Sequence, residues 1–302
     1  MIIRPRPRAW ELLGIFRLSI VPKILPQILM IAVFPLLIAG LGYRFPVLLR
    51  TLNVAPFTLL GIALSIFLGF RNNISYDRWW EARRQLGALI GDIRSLARLL
   101  MTLPGRDRAR RERMVRKLIA YVYALMAHLR SQSMPAQVNF YDPASEQINR
   151  TSNVPDALLR QVSSELTAML QSAEIGELLF AHLDERLVAV SAIQAACERI
   201  KVTPTPFTYT LLLHRTAYAF CFMLPFGLVG TLGFATPIFC AVVAYAFFGL
   251  HELASELEEP FSEWLNSLPL SAMARTVEIS LLETLGEVNV PEPLAPQASV
   301  LT

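Results

Sequence analysis

The chain has little cysteine and little charge. Of its 302 residues only Cys197, Cys221 and Cys240 are cysteines, too few for a disulfide framework, and the last two sit inside apolar runs as small core residues. Only 17% of residues are charged, against roughly 25% in an average soluble chain. With 54% hydrophobic residues and a mean hydropathy of +0.43, that scarcity excludes an ordinary soluble domain and points into a membrane. There is no internal repeat, phosphate-binding loop or nucleophile motif. His251-Glu252 opens like a zinc-protease motif, but Ser255 stands where the second histidine belongs. An intramembrane enzyme built on His214, His251 and Glu252 would therefore lack both a nucleophile and metal spacing, and neither catalysis nor a cofactor is expected.

Long uncharged runs are what the chain does have. Twenty residues from Thr51 to Phe70 carry no charge, enough to cross a hydrocarbon core of roughly 30 Å as a helix rising about 1.5 Å per residue. After Phe70 no proline occurs until Pro104, and Trp79, Leu86, Ile90, Ile93 and Ala97 recur at helical steps, so the same helix is expected to leave the membrane and enter a cytoplasmic bundle. Ile62, Ile66, Phe70, Asn73 and Asp77 share one face of it, an apolar file that turns polar in the same direction. Around a symmetric opening the three apolar residues would stack as rings that gate by dewetting. From periodicity alone, lipid-facing or core packing is the preferred explanation.

The remaining segments follow in order. Residues 1–23 carry Arg4, Arg6, Arg8, Arg17 and Lys23 around Trp10, Leu13 and Phe16, as an interfacial helix against membrane lipids would, and no small-residue cleavage pattern marks a signal peptide. Residues 24–43 form a first span with Pro35 inside it, and residues 51–75 the second, joined by a short connection with its tip outside. Residues 76–206 read as a helical cytoplasmic domain, with a helix from Arg106 to Arg130, a loop over 131–152, and two helices over 153–200, capped by Ser152 or Asn153 and broken near Gly176. Residues 207–232 and 235–252 give two more spans, turning between Gly233 and Pro237. Residues 253–302 form a cytoplasmic segment whose last stretch, from Val288, has the prolines and small residues of a flexible tail.

Charge is unevenly placed. Arg71 to Lys117 holds 13 Lys/Arg against 5 Asp/Glu, a net of +8, whereas Glu252 to the end holds 9 acids and only Arg275, a net of −8. Both basic segments fall on one side of a four-span layout, so the positive-inside rule puts both termini in the cytoplasm. Arginines alternating with apolar helix positions serve a membrane protein better than nucleic acid, which is not expected as a partner. Glu252, Glu256, Glu259 and Glu263 share a helix face until Pro260 interrupts it, a solvated or salt-bridged surface.

The stretches APFTLLGIALSIFLGFRNNISYDRWWEAR, CERIKVTPTPFTYTLLLHRTAY, LPFGLVGTLG and FGLHELASELEEPF, in this order, resemble bacterial members of the bestrophin family over residues 10 to 287. The resemblance implies an all-α membrane protein of the bacterial inner membrane, a homopentamer in which each chain gives four membrane helices and a helical cytoplasmic domain around one axial pore. It implies that Ile62, Ile66 and Phe70 line a neck, and that a second constriction lies at the cytoplasmic exit within Ile175 to Leu183, where Leu178 and Phe180 are the candidates. Calcium-activated relatives carry a run of aspartates after the fourth span. Here no aspartate stands there, and Glu258 and Glu259 are the remaining metal candidates, so a calcium site is not expected.

The implied function is passive conduction of monovalent ions. A ring of Asp77 favours cations, and the nearby arginines favour anions unless salt bridges engage them. On that balance monovalent cations are the expectation and chloride the alternative. A membrane scaffold or sensor binding a partner through its cytoplasmic helices is the reading from another class.

Overall fold

The computed structural model describes residues 1–302 except 5–7, 9, 12–13, 17, 45–54, 104–106 and 148–150. The expected interfacial helix and the connection between the first two spans fall partly or wholly outside the described residues. Nine α-helices are described: α1 (Val21–Arg44), α2 (Ala55–Thr102), α3 (Arg108–Arg130), α4 (Ala136–Tyr141), α5 (Val154–Gln171), α6 (Glu177–Val202), α7 (Phe207–Leu232), α8 (Thr236–Glu258) and α9 (Leu270–Leu285). The chain divides into two compact units.

One unit comprises residues 4–79 and 204–259. Three stretches are long and apolar enough to cross a bilayer, Val21–Ile38, Ala55–Thr102 and Phe207–Glu258, the last holding α7 and α8 on either side of a single 3-10 turn, Gly233–Ala235. α1 packs on α7 and α8, and α7 on α8. Their shared core holds Ile31, Leu64, Leu68, Phe220, Ala244 and Phe248, with Phe220 and Phe247 meeting edge to face at 5.4 Å between ring centroids. Only 22%, 17% and 22% of the apolar windows are buried within the chain. Apolar helices left this open need lipid or further copies around them. α1 runs unbroken through Pro26 and Pro35.

α2 has 48 residues, so at about 1.5 Å per residue it is more than twice as long as a bilayer core is thick. One end must therefore project beyond the hydrocarbon, which agrees with the polar sequence after Phe70.

The other unit comprises residues 1–3, 80–203 and 260–302. It is built on α3, which is buried on nearly every side from Met114 to Leu129 and covered by α4, α5 and α9, with α6 packed on α5. Local signals set its ends: Asp107 accepts from the Arg110 amide at 2.9 Å, and Ser131 closes the helix in the left-handed region at φ 54°. Asn153 caps α5 through a 3.1 Å bond from the Asp156 amide. The expected loop over 131–152 instead contains α4 and a 3-10 turn, Pro143–Gln147. Its polar composition concealed two apolar anchors, Val138 and Tyr141, which are buried.

Residues 297–301, expected to be free, are also held. Gln297 and Val300 exchange backbone bonds of 2.9 and 2.8 Å around Ala298 and Ser299, both at positive φ. The Ile3 amide donates to Ser299 at 2.9 Å and the Leu301 amide to Met1 at 2.8 Å, an antiparallel ladder centred on Ile2 and Val300.

Candidate functional site

The N-terminal part of α2 presents two contrasting faces. Ile62, Ile66 and Phe70 are 55%, 53% and 56% exposed, whereas Leu64 and Leu68 on the opposite side are buried. Asn73 and Asp77 continue the exposed file, and neither has a hydrogen bond or ion pair among the described residues. The expected grouping of these five residues is therefore present on one face, and packing inside the chain's own core is excluded for it. What remains is lipid, another copy, or an aqueous lumen.

The buried face carries a feature that the sequence reading missed. Arg71, one residue beyond Phe70, is 1% exposed. Its Nη1 lies 2.8 Å from His251 Nδ1 and donates to the His251 carbonyl at 3.2 Å, and its Nη2 reaches Ser255 Oγ at 3.0 Å and Glu258 Oε2 at 3.4 Å. A guanidinium can only donate, so His251 Nδ1 accepts and its Nε2 carries the proton toward His214 Nδ1, 3.2 Å away. A cation this buried needs such a set of acceptors. The signal in the sequence was a single arginine placed directly after twenty uncharged residues, on the face away from Asp77.

Glu258 is the other end of this network. Besides Arg71, its carboxylate accepts from the amide of Thr205 at 3.1 Å and from the Thr205 hydroxyl, and its carbonyl accepts from Arg78 Nε at 2.7 Å. Calcium at Glu258 would have to displace protein donors that already fill its oxygens. Among the described residues no group of three or more His, Cys, Asp or Glu side chains is placed to hold a metal. Glu252 and Glu256 take Lys23 between them at 2.9 and 2.8 Å, tying the start of α1 to the end of α8, while Glu263 accepts from Gln132 at 2.5 Å. The carboxylates expected on one face thus divide among separate partners.

The candidate exit constriction lies at the start of α6. Leu178 is 76% exposed, Phe180 is partly buried, and Ile175 and Leu183 are buried.

Long apolar helices, a charge buried only within its own network, and an exposed apolar file turning polar define an all-helical integral membrane protein. Residues 1–283 match the family model described as Bacterial/Fungal Bestrophin protein. A Mesorhizobium japonicum protein named as a voltage-dependent anion channel-forming protein is 44% identical over 288 residues, covering 95% of this chain and 93% of its own. An Escherichia coli protein named likewise is 38% identical over 300 residues, covering 98% of both. The crystal structure of a bacterial bestrophin homologue from Klebsiella pneumoniae superposes with a TM-score of 0.83 at 35% identity, over 88% of this chain and 100% of that one. The chain belongs to the bacterial and fungal bestrophin family.

Proposed function

We propose that the protein is an anion channel, a pentamer of four-span chains in the inner membrane with both termini in the cytoplasm, whose axial pore is lined by α2. Ile62, Ile66 and Phe70 form its neck and Leu178 or Phe180 its cytoplasmic exit. Anions replace the cations expected from Asp77, because relatives aligned over nearly the whole chain are named anion channel-forming proteins.

One observation on α2 itself carries the same reading. Its acids beyond Asp77 are engaged, Glu81 by Arg199 at 2.6 Å and Asp92 by Arg186 at 3.7 Å. Arg84 and Arg98 are exposed and have no ion-pair partner among the described residues. Steps of seven keep helix positions nearly in line, so Arg84 follows Asp77 on the exposed file and Arg98 lies close to it. The single acidic ring is followed by two basic ones, and the balance favours anions.

The test is the reversal potential of the purified protein in a planar bilayer under an asymmetric NaCl gradient. A value near that of chloride is expected, moving toward that of sodium in Arg84→Glu. A value near that of sodium in the wild type overturns the anion reading, and absence of current in any salt overturns the channel.

A further inference from the structure

The arginines around α3 and α9 are mostly neutralised in place. Arg110 pairs with Glu165 and Glu174 at 2.7 and 3.1 Å, Arg116 with Glu287, and Arg275 with Glu278 at 2.8 Å. Arg130, half-buried at the end of α3, differs. Its Nη1 donates to Ser271 Oγ at 3.0 Å, its buried Nε has no hydrogen-bond partner, and it has no ion pair among the described residues. Burial depresses the pKa of its guanidinium, a pull that nearby Glu263 only partly opposes. A cation part-withdrawn from water without a directly paired counter-ion raises the free energy of the fold until an anion arrives.

A cavity of about 220 Å³ lies beside it, lined by Tyr123 and Arg130 of α3, Gln132, Gln137 of α4, and Ser271 and Arg275 of α9. No carboxylate among the described residues lines it. Two guanidinium groups offer planar forks of N–H donors, and the hydroxyl and amide groups add single donors, a set matched to the oxygens of phosphate or carboxylate. Glu278, outside the lining, accepts from Tyr123 and Tyr141 at 2.6 Å each and fixes Arg275 from behind. The volume falls below the roughly 300–1,000 Å³ of sites for drug-sized ligands, which limits the occupant to something as small as inorganic phosphate or a short dicarboxylate.

We propose that the cavity between α3, α4 and α9 binds a small oxyanion, phosphate or carboxylate, between Arg130 and Arg275. The ligand supplies the close negative charge that Glu263, with no ion pair to Arg130, gives it only in part.

The test uses the purified full chain in detergent and a zwitterionic buffer, with equilibrium dialysis of labelled inorganic phosphate and of succinate, and with melting temperature against concentration of each. At least one should bind saturably and raise Tm. Arg130→Gln should weaken that binding about ten- to a hundredfold, the loss of a charge-assisted bond, and Arg130→Lys should recover part of it. Without ligand, Arg130→Gln should melt no lower than the wild type, because it removes a half-buried cation that Glu263 compensates only in part. A lower melting point with an unchanged ligand response would make Arg130 a structural residue and overturn the site. So would the absence of saturable binding by both probes, or chloride binding as tightly as either. None of these readouts depends on conduction, so the pore reading and this one fail separately.

Discussion

Two tyrosines two positions apart on one helix show how far residue identity falls short of environment. Tyr121 is wholly buried and its hydroxyl has no partner among the described residues, whereas Tyr123 donates to Glu278, which is itself buried. Tyr121→Phe should leave the melting temperature unchanged or raised, since a buried hydroxyl without a partner costs stability. Tyr123→Phe should cost about 1.5–3 kcal/mol, the range for a hydrogen bond to a charged group. Burial first, and the bond to Glu278 second, raise the pKa of Tyr123, and the same causes raise that of Tyr141. For a phenol held neutral in the fold, stability is complete below the ordinary value near 10. It is lost as pH rises from there through the folded value. Tyr123→Phe should therefore be less stable at pH 8 yet lose less between pH 9 and about 11, which melting curves across that range would check. By contrast, the reading of Cys197 as a small core residue needed only composition: it is buried, and burial, with Glu198 and Glu81 adding to it, pushes its thiol up to about 12.

Elements were legible where one signal dominated. α2 could be traced because no proline interrupts it and its apolar positions keep one period across 48 residues. α4 could not, because Pro135 and Pro143 bracket a six-residue helix that exists only through the burial of Val138 and Tyr141. Close approach between helices is equally invisible in a sequence. A Cβ added at Gly227 of α7 would lie 2.6 Å from Cδ2 of Phe57 on α2, whereas one at Gly40 or Gly69 would meet nothing within 4 Å among the described residues. Gly227→Ala should therefore destabilise the membrane unit by about 1–3 kcal/mol through overpacking, and Phe57→Leu in the same chain should recover much of it. Equal melting temperatures for Gly227→Ala and the wild type would show that the ring moves aside without cost.

At the scale of the whole molecule the candidate pore was legible only as a file of residues, because an opening belongs to an assembly and periodicity describes one chain. The Arg71 network was illegible for a related reason: its partners His251, Ser255 and Glu258 stand about 180 residues away in sequence. In the proposed pentamer one substitution acts five times around the same ring. Ile66→Ala should accordingly widen the neck on all sides at once and raise single-channel current, and an unchanged current would remove Ile66 from the pore. The pairing of residues 1–3 with residues 299–301 bears on how the protein is made. Translation delivers residues 1–3 long before residues 299–301, so the first segment must wait while the membrane helices between them are inserted. This ladder can form only once both segments have been made, so a half-synthesised chain and one extended past residue 301 present different surroundings to Ile2.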